Sequence, residues 1–217
     1  MRTFGYPEFL FILEAARWTL ALSAIAFVGG SILGLIIALC RTSERTFFRT
    51  ASSVFIQVFQ GTPLLLQLFL IFFGAPVFGL DINPWIAAGA ALVLNSAAFL
   101  GEIWRGCIEA VPRGQWEAAE ALSLKYSARM RDVVLPQAFK IAVAPTVGYL
   151  VQIIKGTSLA AIIGFTEVTR AGQIINSATF QPLVVFSIVA AIYFVICWPL
   201  SLLAAHIERR RARALTR

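Results

Sequence analysis

The chain has 217 residues, of which 59% are hydrophobic and 13% are charged. Too few polar side chains remain to cover a water-soluble globule of this length, so a soluble domain is excluded and an all-α, polytopic membrane protein is predicted. The formal net charge of +7 does not indicate a nucleic-acid partner, because Lys and Arg cluster beside apolar runs rather than along a polar face.

The first long apolar run covers residues 15–40, enough for the roughly 20 residues that a helix needs to cross a bilayer. Residues 1–14 are short and mixed, and their aromatic side chains predict a segment at the membrane interface. Small residues recur in the apolar run at helical spacing, which predicts a seam where another helix packs closely. They are Gly29, Gly30, Ser31 and Gly34.

A second span is predicted over residues 54–73. Near its start, Gln60-Gly61-Thr62-Pro63 places a glycine next to a proline without an amide donor, and a kink is expected there. Glycines and prolines in residues 74–84 are typical of a short loop.

The third predicted span, residues 85–104, has a tryptophan at each end, as is common at membrane interfaces. Asn95 and Glu102 are polar groups within it, and such groups need partners inside the helix bundle. For Asn95, a hydrogen bond between helices is favoured over a contact with substrate.

A fourth span is predicted over residues 139–154, where Pro145 and Gly148 are expected to break the helix. A helix that lines a pathway and a helix that is merely kinked fit this pattern equally well. Residues 159–165 are apolar but too short to cross, which favours a re-entrant or interfacial segment. The fifth span covers residues 183–205 and is followed by five arginines.

Five spans place the two termini on opposite sides of the membrane. The loop after the first span, the polar stretch 105–140 and the C-terminal tail then share one side and carry 14 of the 18 Lys and Arg residues. The positive-inside rule makes that side cytoplasmic, so the N-terminus is expected outside.

Within the polar stretch, residues 116–122 are strong helix formers after a turn at Pro112. A second short helix is predicted over residues 127–135, ended by Pro136. Two short helices with an apolar side have the shape of a docking surface, although an ordinary solvated loop fits their amphipathicity equally well. The apolar side is expected to carry Ala118, Ala119 and Leu122.

Cysteine and histidine indicate neither a metal site nor catalysis. The cysteines lie far apart without ligand spacing, and packing roles are predicted for them. They are Cys40, Cys107 and Cys197. The single histidine, His206, ends an apolar run, where an interfacial side chain is expected. A Gly-rich phosphate-binding motif with lysine is also missing from the sequence, so the chain is not expected to hydrolyse ATP or to act as an enzyme.

The polar stretch resembles the signature of ABC importer permeases, which reads Glu-Ala-Ala, three residues, Gly, nine residues and Ile-x-Leu-Pro. Glu117-Ala118-Ala119, Val133 and Leu135-Pro136 stand at the corresponding offsets. The resemblance extends over nearly the whole chain and is to the polar amino acid branch, which includes histidine, glutamate, glutamine, arginine and opine systems. Further matching segments are residues 60–68, 96–98, 114–119, 135–138 and 155–159.

This resemblance implies a single permease domain over residues 1–217, with the type I importer fold and a cytoplasmic coupling loop at about 105–138 that sits in a cleft on an ATPase subunit. It also implies an ATPase dimer that binds ATP and Mg, a second permease copy, identical or paralogous, a solute-binding protein, and location in the bacterial cytoplasmic (inner) membrane. The expected ATPase contacts are Glu117, Ala118, Ala119, Ser123, Leu135 and Pro136.

Polar residues near the spans are candidates for the substrate path, because a polar group retained in hydrocarbon needs a partner or water. Hydrogen bonds within the bundle could account for most of them. The candidates are Gln60, Thr62, Gln67, Asn95, Glu102, Lys155, Thr157, Ser158 and Glu167.

Two residues depart from the family pattern. Ser123 stands where glycine is usual, and a serine can take a positive φ at a cost of about 1 kcal/mol or can cap the following helix through its hydroxyl. Gln60 replaces the arginine common in this branch, so a charge pair with a substrate or an internal carboxylate is not carried over to it.

Together, these features predict the membrane subunit of an ATP-driven uptake system for polar amino acids that works by alternating access. An ATPase-independent channel or an ion-coupled secondary carrier is the alternative, because either would also explain the spans and their polar groups. Flux through the chain without an ATPase would distinguish them.

Overall fold

The computed structural model describes residues 3–215, and within that range the chain forms helices and no strands. The α-helices are α1 (Tyr6–Arg41), α2 (Thr46–Gly61), α3 (Leu64–Gly74), α4 (Pro84–Glu109), α5 (Arg113–Ala121), α6 (Tyr126–Ala128), α7 (Leu135–Gly156), α8 (Val168–Thr179) and α9 (Pro182–Leu215). Two 3₁₀ turns and one π-helical turn extend them. They are Ala75–Phe78, Thr157–Ile163 and Arg129–Val134, the last of which is the π-helical turn.

Four helical segments are long and apolar enough to cross a membrane, and α2 with α3 makes a fifth candidate that is bent by 100°. The predicted all-α fold with five spans is therefore confirmed, with the second span broken rather than merely kinked. The break falls at Gly61–Pro63, where the glycine and the proline predicted it.

The first helix begins before the first predicted span. α1 begins at Tyr6 instead of residue 15, and the Glu8 carboxylate accepts a hydrogen bond from the Gly5 amide (3.0 Å) at its first turn. The residues predicted to lie at the interface are thus helical. With 36 residues, α1 is about 54 Å long and extends beyond a hydrocarbon core of about 30 Å.

The predicted small-residue seam lies between α1 and α4. A Cβ atom on Gly30 would lie 2.5 Å from Ser96 Cβ, and one on Gly34 would lie 3.1 Å from Leu100 Cβ. On the other side of the contact, a Cβ on Gly101 would lie 2.8 Å from Ile37 Cγ2. These separations leave no room for a side chain unless the neighbouring helix moves, so the two helices meet backbone to backbone.

α6, the π-helical turn and α7 form one continuous rod that extends to Ile163. The prediction that Pro136 ends a helix is therefore wrong, because this proline occupies the first turn of α7, where a missing amide hydrogen is tolerated. The predicted interruption of the fourth span is also wrong, since α7 continues through Pro145 and Gly148. Of the apolar residues 159–165, those up to Ile163 continue the same rod as part of a largely buried 3₁₀ turn, which ends at Gly164 with a φ of 87°.

Four apolar clusters of described residues hold the helices together, and the smallest, of Val151, Ile154 and Cys197, joins α7 to α9. One lies where α3, α4 and the end of the rod meet, and a second joins α1, α8 and α9. The third lies beneath α5 and joins the ends of α1 and α4 to the start of the rod. Its buried members are Ala38, Ile108, Val111, Met130, Val134 and Ala138.

Candidate functional site: the loop helix and the polar groups of the spans

α5 packs against the π-helical turn through Trp116, which is half-buried, and Ala119, which is buried. These two residues are three apart and lie on one helical face. Ala118 and Leu122 instead point outward, and Leu122 is 74% exposed. The prediction that Ala118 and Leu122 lie on the apolar side is therefore wrong. The buried face of α5 carries residues 116 and 119, and the helix ends at Ala121, before Leu122.

Three polar contacts hold α5 and its neighbourhood in place. Glu120 Oε2 lies 3.5 Å from Arg129 Nη1. Gln137 Nε2 donates to Gln115 Oε1 (3.2 Å). The third contact joins the rod to α1, since Tyr126 Oη donates to the Thr42 carbonyl (2.8 Å). The loop helix is therefore tied to the rod, and the rod is tied to α1.

Ser123 adopts the left-handed conformation, with φ of 55°. Its amide donates to the Glu120 carbonyl (2.8 Å), and the Leu124 amide donates to the Ala119 carbonyl (3.2 Å). This pair of bonds closes a helix end with one left-handed residue, normally glycine. The first of the two alternatives for Ser123 is confirmed, whereas the start of α6 at Lys125 and Tyr126 has no side-chain cap.

We expect Ser123→Gly to stabilise the loop by about 1 kcal/mol, because glycine has no Cβ to strain at positive φ. Trypsin cleavage after Lys125 should become about fivefold slower, since cleavage requires local opening. Ser123→Val should accelerate it. Ser127→Gly, on the exposed face of α6, is the control and should not slow cleavage. Equal cleavage rates for the Ser123→Gly variant and the unaltered protein would contradict a strained turn.

Among the predicted coupling residues, the exposed ones form the outer surface of the loop. They are Glu117, Ala118, Ser123 and Pro136. Ala119 is buried and Leu135 is half-buried, so these two hold the loop to the rod rather than offering a surface to a partner.

Three of the substrate-path candidates meet at the break between α2 and α3. Gln67 Nε2 lies within hydrogen-bond distance of the Phe59 carbonyl (2.8 Å), the Thr62 carbonyl (3.0 Å) and Thr62 Oγ1 (2.9 Å). Asn95 Nδ2 donates to Gln67 Oε1 (3.1 Å), which is the bond between helices predicted for Asn95. A broken helix leaves carbonyls without helical donors, and in a membrane a side chain must replace them.

Tyr149 belongs to the same network and was missed by sequence reasoning. Its hydroxyl donates to Asn95 Oδ1 (3.4 Å), and its ring stacks on Phe99 with centroids 5.4 Å apart. A lone tyrosine in the middle of an apolar span was the available signal, since a buried hydroxyl needs a partner.

Gln67→Leu is expected to destabilise the protein by about 2 kcal/mol or more, because two backbone carbonyls lose their donor. Thermal unfolding in detergent should show a lowered midpoint. Gln57→Leu makes the same chemical change on the exposed face of α2 and should leave the midpoint almost unchanged. If the two variants unfold together, Gln67 does not support the break.

The other path candidates are dispersed, and the two carboxylates among them already have partners. Glu167, fully buried, accepts from the Thr169 and Arg170 amides (both 2.9 Å) at the start of α8 and from Tyr193 Oη (2.6 Å). Glu102 pairs with Arg105, whose Nε lies 2.9 Å from Glu102 Oε2.

The hydroxyl groups of Thr157 and Ser158 donate to backbone carbonyls of the preceding turn, both at 2.7 Å. Lys155 and Gln60 are exposed. Lys155 opens onto a groove of about 430 Å³ between α7 and α9, lined also by Tyr193 and Trp198. The nine candidates thus do not form one cluster.

Known proteins match this chain over most of its length. Residues 30–213 match the family described as binding-protein-dependent transport system inner membrane component. The L-cystine transport system permease protein TcyB of Bacillus subtilis is 40% identical over 197 residues, covering 90% of this chain and 84% of that protein. The arginine transport system permease protein ArtQ of the same organism is 37% identical over 205 residues, covering 94% of each.

Solved structures agree with these matches. The crystal structure of an amino acid ABC transporter with histidines superposes with a TM-score of 0.86 at 37% identity, covering 92% of this chain and 94% of that chain. An inward-facing structure of the MetNI methionine ABC transporter superposes with a TM-score of 0.78 at 18% identity, covering 95% and 99%, and shows a shared fold.

Proposed function

Because the chain belongs to the binding-protein-dependent transport system inner membrane components, we propose that it moves polar amino acids inward by alternating access, driven by a separate ATPase. It is a multi-pass permease subunit of an amino-acid ABC importer and not an enzyme. The proposed partners are an ATPase dimer, a second permease copy and a solute-binding protein. The proposed location is the bacterial inner membrane, with the N-terminus outside and α5 in the cytoplasm, as the distribution of basic residues favours.

One observation carries the coupling mechanism: a short helix with an exposed outer face is fixed to a rod that continues without interruption into a span. Glu117, Ala118 and Leu122 form that outer face. When ATP closes the ATPase dimer, the cleft that holds α5 moves and α5 pulls the start of the rod. The rod transmits this movement to α7, whose tilt switches the opening from one side of the membrane to the other.

The substrate class is supported by the relatives, whose names include cystine, glutamine and arginine systems, all with polar amino acids as cargo. Among the candidates for the path, those that are exposed on the single chain are free to face a central channel between two copies. They are Gln60 and Lys155, whereas the hydroxyl of the exposed Thr62 is already bonded to Gln67 and to the Val58 carbonyl. The buried candidates support the bundle through the hydrogen bonds described above.

Alanine at Gln60 or Lys155 is expected to change the concentration dependence of uptake, whereas alanine at Ile32, an exposed apolar residue of α1, should not. Equal uptake by all three variants would remove these residues from the path.

Reconstitution tests the proposed function as a whole. Proteoliposomes that contain the chain with its ATPase, supplied with binding protein and ATP, should accumulate the amino acid, and omission of any component should stop uptake. The chain alone should show no flux. Passive flux through the chain alone would instead support the channel or carrier.

A further inference from the structure

Arg129 lies within the first turn of the rod and contacts the loop helix α5. Its side chain is only 16% exposed, and its Nη1 lies 3.5 Å from Glu120 Oε2 on α5. Its Nε is buried and, within the described part of the chain, has no hydrogen-bond partner. A largely buried guanidinium with one weakly held carboxylate and one unused donor is poorly satisfied in this conformation.

The residues that follow Arg129 contact the spans instead of the loop helix. Met130 and Val134 are buried in the apolar cluster that joins Ala38 of α1 to Ile108 and Val111 of α4. Arg129 therefore contacts the water-facing loop on one side and begins a turn that is seated between two spans on the other.

The turn itself is π-helical from Arg129 to Val134, between two α-helical segments. A π-helical turn, whose hydrogen bonds join residues five apart instead of four, is rare and is frequently found at functional sites. Pro136 follows directly and has no amide hydrogen to donate to the carbonyl four residues earlier, which weakens the α-helical alternative here. The rod is therefore continuous but changes from α-helical to π-helical geometry at Arg129.

We propose that Arg129 is a positioning residue of the transport cycle, which transmits movement of α5 through its contact with Glu120 into the π-helical turn and so into α7. The inference rests on the proposed function. A shift of α5 moves Glu120, and the guanidinium of Arg129 follows its carboxylate partner. The π-helical turn that begins at Arg129 then rotates the rod relative to the ends of α1 and α4. The poorly satisfied Nε favours such a shift, because a second arrangement can supply its missing acceptor.

The neighbouring Arg131 provides a matched control. It pairs with Asp132 next to it along the chain (2.7 Å), and both side chains are well exposed. This pair lies on the same turn and has the same charges, but the partner of Arg131 belongs to that turn and not to α5.

The test compares uptake per ATP hydrolysed in the reconstituted transporter for Glu120→Arg, Arg129→Glu, the double swap and Arg129→Met. Each single reversal and Arg129→Met should lower the ratio at least fivefold, and the double swap should restore at least half of it. Arg129→Met keeps an apolar side chain of similar length in the buried site. It should still bind the ATPase in a pull-down, which separates loss of coupling from loss of fold. The control Arg131→Ala with Asp132→Ala should keep the wild-type ratio.

Wild-type coupling in Arg129→Met, or a double swap that restores nothing, would overturn the inference while the proposed function stood. Failure of the wild-type chain to take up amino acid with its partners would instead refute the proposed function itself.

Discussion

Gly30→Leu is expected to remove most of the folded protein from the membrane. Even a Cβ atom at this position would lie 2.5 Å from Ser96 Cβ and 3.3 Å from the Ala97 amide nitrogen, and leucine adds three further carbons. α1 and α4 would have to separate along their whole seam, and van der Waals packing is the main force that joins helices in lipid. Overpacking in a core costs about 1–3 kcal/mol, and here the backbone cannot give way.

Fluorescence-detected size-exclusion chromatography of the solubilised protein measures this effect. The yield of the monodisperse Gly30→Leu protein should fall at least tenfold. Gly106→Leu is the control, because this glycine lies on α4, the other helix of the seam, and a Cβ atom added to it would have no neighbour within 4 Å. Similar yields for the two variants would show that the seam does not hold the bundle.

Ala118→Asp with Leu122→Asp is expected to abolish ATP-dependent uptake while leaving the permease folded. Both residues are exposed on the single chain, so charge there costs the fold little. Loss of one hot-spot residue at the centre of an interface costs about 2 kcal/mol or more, so affinity for the ATPase should fall about thirtyfold or more. Deletion of residues 117–123 should have the same effect on uptake with the chain still inserted.

ATPase binding to the purified permease, measured beside uptake, provides the comparison. Ser127→Asp places one aspartate on the exposed face of α6 and should retain both activities. Uptake that survives the double aspartate variant would refute the assignment of α5 as the coupling surface.

The sequence predicted the features that depend on composition or on the backbone preferences of single residues. Apolar runs located the spans, and small residues located the α1–α4 seam. The glycine position occupied by Ser123 indicated a left-handed turn as one of two alternatives, and the φ of 55° confirms it. The resemblance to permeases identified the family, which the matches over residues 30–213 confirm.

Features that depend on contacts between distant segments were missed. Pro136 follows a short polar helix and so indicates a helix end, but the burial of Met130 and Val134 between α1 and α4 keeps the rod continuous through it. The bend of 100° between α2 and α3 exceeds a proline kink, because the amide of Gln67 satisfies the opened carbonyls. Such tertiary support does not show in local patterns.

Cross-linking from Leu122→Cys tests the central claim most directly, in a variant whose native cysteines are replaced. Those are Cys40, Cys107 and Cys197. In inside-out vesicles, a short bifunctional reagent should join residue 122 to the ATPase, while Val77→Cys, exposed at the far end of the bundle, should give no such product. Labelling of residue 122 by an impermeant thiol reagent from outside intact cells, or no cross-link to the ATPase, would contradict the account.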